Sequence, residues 1–278
     1  MPNSTSRIDV PAVRKAVAVL EALAQGDRLS MTEIQQRTGV SKTMTFRLLH
    51  VLAEQGFVEQ DPMSRRYSLG LRLLEFGAIV SHRLPIVSIS QPILAELREA
   101  FRETVNVAVL TEGQMVYVAI AESRQDLRMA NRLGSRGPVY ATSIGKAVLA
   151  YLPAGQQAAM LASVSLRPLT PHTITDPELF RRELEQTRAR GYAIDNEENE
   201  IGARCVSVPI LSHELPFAGL SVSGPRSRIT DDLIPVIAEK LWEASREISR
   251  RLGYVPEHGA GDESFAVEPI GAFAERRL

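Results

Sequence analysis

The chain has 278 residues, of which 44% are hydrophobic and one is cysteine, and it carries a net charge of -1. That length and apolar share can bury a full core in one or two domains. A single cysteine excludes an intramolecular disulfide, neither a C-x-x-C nor a His pair at metal spacing occurs, and no run of about eighteen apolar residues is present. No metal, cofactor or membrane partner is therefore expected, and the opening Met1-Pro2-Asn3-Ser4 lacks a signal-peptide h-region, which predicts a cytoplasmic protein. Charge is segregated: residues 1–83 hold 11 Lys/Arg against 8 Asp/Glu, which is +3 there and -4 in the remainder.

In chain order, the first predicted element is a helix whose stripe is Val13, Val17, Leu20 and Leu23. A second opens on Ser30 with Glu33 three residues later, a capping-box pattern, and stops at Gly39, a residue that tolerates the left-handed helix end. A third starts behind the N-cap candidate Ser41 and turns Thr45, Leu48, Leu49 and Leu52 inward. Lys42, Thr43, Met44, Phe46, Arg47 and His50 share its other face. They offer cations for phosphates, and hydroxyl, thioether and aromatic groups for base edges.

Phe57 to Gln60 and Arg66 to Leu69 flank the turn-forming Asp61-Pro62-Met63-Ser64, so a hairpin is expected with Arg65 and Arg66 at its tip for phosphate or a narrow minor groove. The ordered set reads as a winged helix-turn-helix over residues 9–69, with Ser41, Lys42, Thr43, Met44, Phe46, Arg47, Arg65 and Arg66 as its DNA-binding residues. The plainer reading is a helical hairpin with solvated charges, because each signal alone is common.

Residues 70–83 read as a linker helix with Leu71, Leu74 and Ala78 on one side and Leu73 and Phe76 widening the apolar surface, ended by Pro85. Such a helix pairs with its copy in a second chain or is buried within its own domain.

The larger domain is placed at residues 84–253. Strand patterns fall at Thr104 to Leu110, Met115 to Ile120, Cys205 to Leu211 and Pro216 to Ser223. Helical patterns fall at Gln91 to Ala100, Ser143 to Tyr151, Pro177 to Arg190 and Ile229 to Leu252, the last with an irregular first turn if Pro235 lies inside it. The class is α+β on an antiparallel sheet. Residues 254–278 have no sustained period and read as a disordered tail.

Thr142-Ser143-Ile144-Gly145 leads straight into a predicted helix, whose free N–H groups suit a carboxylate. Asp195, and Ser221 and Ser223 on one strand face, suit hydroxyls. Gly145-Lys146 is no nucleotide loop, since Ala147 replaces the required hydroxyl.

The chain also carries Leu29-Ser-Met-Thr-Glu-Ile34, Ser41-Lys-Thr-Met-Thr-Phe-Arg-Leu-Leu49, Arg66-Tyr-Ser-Leu-Gly70, Tyr140-Ala-Thr-Ser-Ile-Gly-Lys-Ala147, Gly191-Tyr-Ala-Ile-Asp-Asn-Glu-Glu198, Gly202-Ala-Arg-Cys-Val-Ser-Val-Pro209 and Leu220-Ser-Val-Ser-Gly-Pro225. By these motifs, which run over nearly its whole length, it resembles the IclR family of bacterial transcription regulators. Asp126-Leu-Arg-Met129 with Asp-Asn-Glu-Glu is most similar to the ketodeoxygluconate-responsive, sugar-acid branch of that family.

The resemblance implies a GAF-like effector-binding domain and a regulator, expected to be a repressor, of a catabolic operon. Its implied partners are double-stranded operator DNA, a small carboxylate effector and further copies of itself, as a homodimer or a tetramer. It also implies effector contacts from the helix start Thr142, Ser143, Ile144 and Gly145, and from Asp195, Cys205, Ser221 and Ser223, with Arg128 added. Two other readings stand beside it: an activator of the same type, and an enzyme with Cys205 as nucleophile and His172 or His213 as base. Thr45 departs from the valine usual on that buried helix face, so its hydroxyl needs a partner, expected to be a carbonyl one turn earlier.

Overall fold

A computed structural model describes residues 9–26, 28–212 and 218–254, and the chain divides into two units, Met1–Arg83 and Leu84–Leu278. In the first unit, helix α1 (Pro11–Ala24) opens on a proline, whose missing N–H is not needed at that position. It buries Val19, Ala22 and Leu23, whereas Val13 and Val17 of the expected stripe are 61% and 47% exposed. Only the C-terminal half of α1 lies over the rest of the unit, so the apolar face continues into solvent along the other half.

Helix α2 (Met31–Thr38) has both arms of the capping box: Glu33 N–H donates to Ser30, and the Glu33 carboxylate accepts from Ser30 N–H at 2.7 Å. It ends on Gly39 at φ 68°, where a side chain would be strained. Helix α3 (Lys42–Glu54) buries Thr45 and Leu49 against Ile34, Leu29, Val58 and Tyr67. Each such aliphatic side chain contributes about 1.5–3 kcal/mol.

Ser41 occupies the α3 N-cap, but its side chain makes no capping bond. Its carbonyl accepts instead from Thr45 Oγ1 at 3.0 Å, the partner expected for that buried hydroxyl. Strands β1 (Val58–Gln60) and β2 (Tyr67–Leu69) form the wing, and Leu29 makes a separate antiparallel bridge to Tyr67. Helix α4 (Arg72–His82) follows and buries none of its residues.

In the second unit, helix α5 (Pro85–Phe101) leads into a sheet of β3 (Thr104–Thr111), β4 (Gln114–Ala121), β5 (Arg136–Pro138), β6 (Ala193–Asn196), β7 (Ala203–Ile210) and β8 (Ala218–Pro225). The order is β5-β4-β3-β8-β7-β6, with every pairing antiparallel. The remaining helices are α6 (Ser143–Tyr151), α7 (Ala154–Ser163), α8 (Pro177–Arg190) and α9 (Leu233–Arg251).

Alternation along the strands decides the two layers. Val105, Val107, Val206, Val208, Leu220 and Val222 share one core with Leu94 of α5 and Leu241 and Trp242 of α9. The opposite face packs α6 and α8 through Ile144, Val148, Phe180 and Leu184. Helix α9 begins at Leu233, so Pro235 falls in its first turn, where no N–H is required.

Short β5, β6 and α7 have no counterpart in the sequence pattern, because three or four residues carry no readable period and α7 buries no residue. Among the described residues no single helix is long and apolar enough to cross a membrane. The tail expected to be disordered lies outside the described residues from position 255 onward.

Candidate functional site

Two surfaces carry the residues singled out by sequence, one in each unit. On α3, Lys42, Thr43, Phe46, Arg47 and His50 are exposed, whereas Met44 turns partly inward. Phe46 and His50 stack with ring planes 6° apart. The face is thus a cationic and aromatic strip whose backing residues, Thr45 and Leu49, are fixed in the core.

The wing departs from expectation at Arg66. Its guanidinium folds back onto Glu33, with Nη2 2.6 Å from Oε2 and 2.8 Å from Oε1, and Nε donates to the Arg28 carbonyl at 3.1 Å. Hydrogen bonds from Ser30 and Arg66 hold the Glu33 carboxyl down at about 2. Arg66 therefore staples the wing to the N-terminus of α2, which leaves Arg65, exposed and at φ 58°, as the cation at the tip. The tip turn is set by Asp61 Oδ1, which accepts from Met63 N–H, Ser64 N–H and Ser64 Oγ.

In the second unit, a small cavity of about 20 Å³ lies between the start of α6 and the α6-facing side of the sheet. Its size is that of about one water molecule. Strand alternation builds its floor. Cys205 on β7 and Ser221 and Ser223 on β8 line it, with Ser207 on β7 and Asn106 on β3 beside them, all out of phase with the apolar residues that face α5 and α9. Register then brings them together: Cys205 pairs with Ser223 and with Asp195, Ser207 with Ser221, and Asn106 with Ser221.

Thr142, not Ser143, caps α6, its hydroxyl accepting from Gly145 N–H at 3.2 Å. The Ser143 hydroxyl instead meets Ser207 Oγ at 2.6 Å. Gly145 does not line the cavity; a Cβ there would overlap the Val139 backbone, so its role is to let α6 lie against the turn that follows β5. Among the described residues the N–H groups of Ser143 and Ile144 find no acceptor, and both residues line the cavity. They present positive potential at its edge.

Asp195 is 2% exposed, and its Oδ1 accepts from the N–H groups of Glu198 at 2.8 Å and Asn199 at 3.3 Å. Burial, reinforced by the neighbouring Glu198 charge, pushes it up to about 7. The turn it caps is held from behind, since Thr170 and Thr173 hydroxyls donate to the Glu197 and Glu198 carbonyls, each at 2.6 Å. Behind the same turn, Lys146 is fully buried between Glu198 Oε1 at 2.5 Å and Glu183 Oε1 at 3.2 Å.

Thr142, Ser143, Ile144, Asp195, Cys205, Ser221 and Ser223 therefore converge on one cavity, and Gly145 and Arg128 do not line it. Arg128 is exposed and paired with Glu122 at 2.8 Å, outside the lining. Tyr117, Met129, Asn131 and Asn199 also line the cavity and were not anticipated. Asn106 behind the floor was also missed. Its Nδ2 donates to both Ser221 and Ser223, and its Oδ1 accepts from Asn131 at 3.1 Å. A polar residue between Val105 and Val107 in a strand buried on both faces was the available signal.

The thiol of Cys205 is pushed up by burial and by the Asp195 charge, which favours the inert protonated form over a nucleophile. Of the two histidines considered as its base, His172 is exposed and His213 lies outside the described residues.

Both units match known proteins. The description "Bacterial transcriptional regulator IclR C-terminal" matches residues 78–250, and "IclR helix-turn-helix domain" matches residues 12–62. The HTH-type transcriptional regulator KdgR of Escherichia coli K12 is 35% identical over 246 residues, 88% of this chain and 94% of that protein. The crystal structure of the Thermotoga maritima IclR is 38% identical with a TM-score of 0.72, covering 87% of this chain and 98% of that one. An IclR homolog from Microbacterium hydrocarbonoxydans, solved in complex with 4-hydroxybenzoate, is 25% identical with a TM-score of 0.76 and covers 87% and 99%.

Proposed function

The chain belongs to the IclR family of bacterial transcriptional regulators, and from that premise we propose that it is a dimeric cytoplasmic repressor of a catabolic operon, released or retained on DNA by a small carboxylate of the sugar-acid class. It is a DNA-binding regulator and not an enzyme. The observation that carries the effector reading is the meeting of unlike groups around one cavity. The unpaired N–H groups of Ser143 and Ile144 suit a carboxylate, and Asp195, Ser221 and Ser223 suit hydroxyls. A relative carries 4-hydroxybenzoate, itself a carboxylate with one hydroxyl, and similarity to KdgR fits the sugar-acid branch.

The cavity is too small for such a ligand as it stands. Binding is therefore coupled to displacement of its walls, which is how a ligand acquires different affinities for two states of a regulator. The test is calorimetry with 2-keto-3-deoxygluconate and with the alcohol obtained by reducing its carboxyl group. The acid is expected to bind at least about tenfold more tightly, the worth of a charge-assisted hydrogen bond. Equal affinities would place the effector elsewhere.

On the DNA side, Lys42, Thr43, Phe46 and Arg47 with Arg65 form the proposed contact set. Arg47→Ala is expected to weaken operator binding by about 1–3 kcal/mol. Arg65→Ala is expected to lower affinity for all sequences and reduce the salt slope by about one unit. Gel-shift titrations at several salt concentrations read both, and an unchanged affinity for the Arg47 variant would remove α3 from the major groove.

Dimerisation rests on α4 and its N-cap: Leu71, just before the helix, and Leu74, Ile79 and Val80 on it are 51% or more exposed within one chain. Light scattering at micromolar concentration is expected to give at least a dimer, and Leu74→Glu with Ile79→Glu to shift it toward monomer and weaken operator binding. A monomeric parent protein would end this reading.

A further inference from the structure

A second cleft lies in the effector unit, apart from the cavity, at the C-terminal end of α5. It encloses about 240 Å³ and is lined by Arg98, Glu99, Arg102, Arg124 and Gln125. Three guanidinium groups thus face one carboxylate. That carboxylate is shared: Glu99 Oε1 accepts from Arg98 Nη2 at 2.6 Å and lies 3.4 Å from Arg124 Nη1. The neighbouring acids do not make up the difference, because Glu103 is paired with Arg228 and Glu122 with Arg128. The cleft is therefore left with two uncompensated positive charges.

Some cationic character suits a helix C-terminus, where carbonyls point outward. Two features go beyond that role. Arg98 Nε is buried and has no hydrogen-bond partner, a costly state for a charged donor. Arg102 caps α5 at φ 58°, the left-handed helix-end conformation more often taken by glycine, with its N–H donating to the Arg98 carbonyl. Buried Ser123 ties this helix end to the next loop: its hydroxyl donates to the Arg102 carbonyl at 2.6 Å and accepts from Gln125 N–H at 3.2 Å. Ser123 thereby clamps the loop carrying Arg124 against the helix end carrying Arg102.

We infer that this cleft is an anion site for phosphate or a small phosphate monoester, independent of the effector cavity. A doubly charged tetrahedral anion matches the residual charge and suits the planar forks of Arg102 and Arg124.

The test is a titration of the full chain with inorganic phosphate at constant ionic strength, followed by calorimetry, with glycerol phosphate as the second probe. Lys42, Arg47 and Arg65 also attract phosphate, so the parent is the Arg47→Ala/Arg65→Ala variant, in which those cations are reduced. Adding Arg102→Ala with Arg124→Ala, both at exposed positions, is expected to weaken phosphate binding at least tenfold while leaving the thermal midpoint unchanged. Asp195→Ala should bind phosphate as the parent does, so failure of the effector reading and of this one are separable. Equal phosphate binding with and without Arg102 and Arg124, or equal displacement by chloride, would overturn the site. So would a variant that loses operator affinity and salt dependence but not phosphate binding, which would assign these arginines to the DNA backbone.

Discussion

Lys146→Ala is expected to destabilise the effector unit by about 3–5 kcal/mol, the usual cost of removing one partner from a buried ion pair. Lys146 is fully buried on α6, and its ammonium lies between Glu198 of the turn after β6 and Glu183 of α8. Arg190 adds a second cation to Glu183 at 2.8 Å. Burial works to raise the Glu183 carboxyl, but Lys146 and Arg190 outweigh it and hold it below the usual range. Glu198 goes the other way. Burial prevails over Lys146, its carboxyl is raised, and its Oε2 is buried without a partner.

Without the lysine, Glu198 keeps no cation and must take up a proton or leave the interior. Lys146→Met restores the packing but not the charge, so it should recover only part of the loss. Adding Glu198→Gln to Lys146→Met should recover more, because the carboxylate left unpaired is then gone. Urea unfolding of the three variants reads this directly. A Lys146→Ala protein as stable as wild type would show that the ion pair contributes nothing beyond its desolvation cost.

Lys146 also shows where sequence reading stops. Helices with a strong start were legible to the residue: Pro177–Arg190 behind the Asp176 cap, and Ser143–Tyr151 by its apolar run. The long strands were legible to within two residues, because alternation in a buried sheet is dense. The residues that line the cavity were legible partly by chemistry and partly by family motif. What was not legible depends on partners far apart in sequence. Arg66 looked like a free wing cation, and only the fold reveals Glu33 33 residues away. Arg128 reads in sequence as a ligand arginine, and only the fold sets Glu122 beside it. Asn106 reads as one polar residue in an apolar strand, and its two serine partners lie 115 and 117 residues further on. Val13 and Val17 fit a helical stripe, but a stripe does not say whether its partner is in the same chain.

Asp195→Asn is expected to make the protein more stable and deaf to its effector at once. Burial, then the Glu198 charge, raise Asp195 from 3.8 to about 7 in the folded state. A group whose folded value lies above its unfolded one contributes full stability below the unfolded value and loses it as pH rises through the folded one. Wild type should therefore lose stability relative to the variant between about pH 4 and pH 7, reaching a deficit of about 2–4 kcal/mol above pH 7. The curves should close toward each other as pH falls through 4 and meet below it, where the carboxyl is protonated in the folded and the unfolded chain alike.

Function should move the opposite way. Asp195 Oδ1 already accepts from Glu198 N–H and Asn199 N–H, so an asparagine must keep its oxygen there and turn its NH₂ toward the cavity. A ligand hydroxyl that donated to a carboxylate then faces a donor, and effector affinity should fall at least about tenfold. Operator affinity without effector should be unchanged, since α3 and the wing lie in the other unit. In wild type, effector affinity should itself weaken as pH falls below about 7, because protonation removes the acceptor. Thermal melts from pH 4 to pH 8.5, effector calorimetry and a reporter assay read the three parts. A variant that gains stability but still responds at wild-type effector concentrations would leave Asp195 a structural acid and move the hydroxyl site to Ser221 and Ser223 alone.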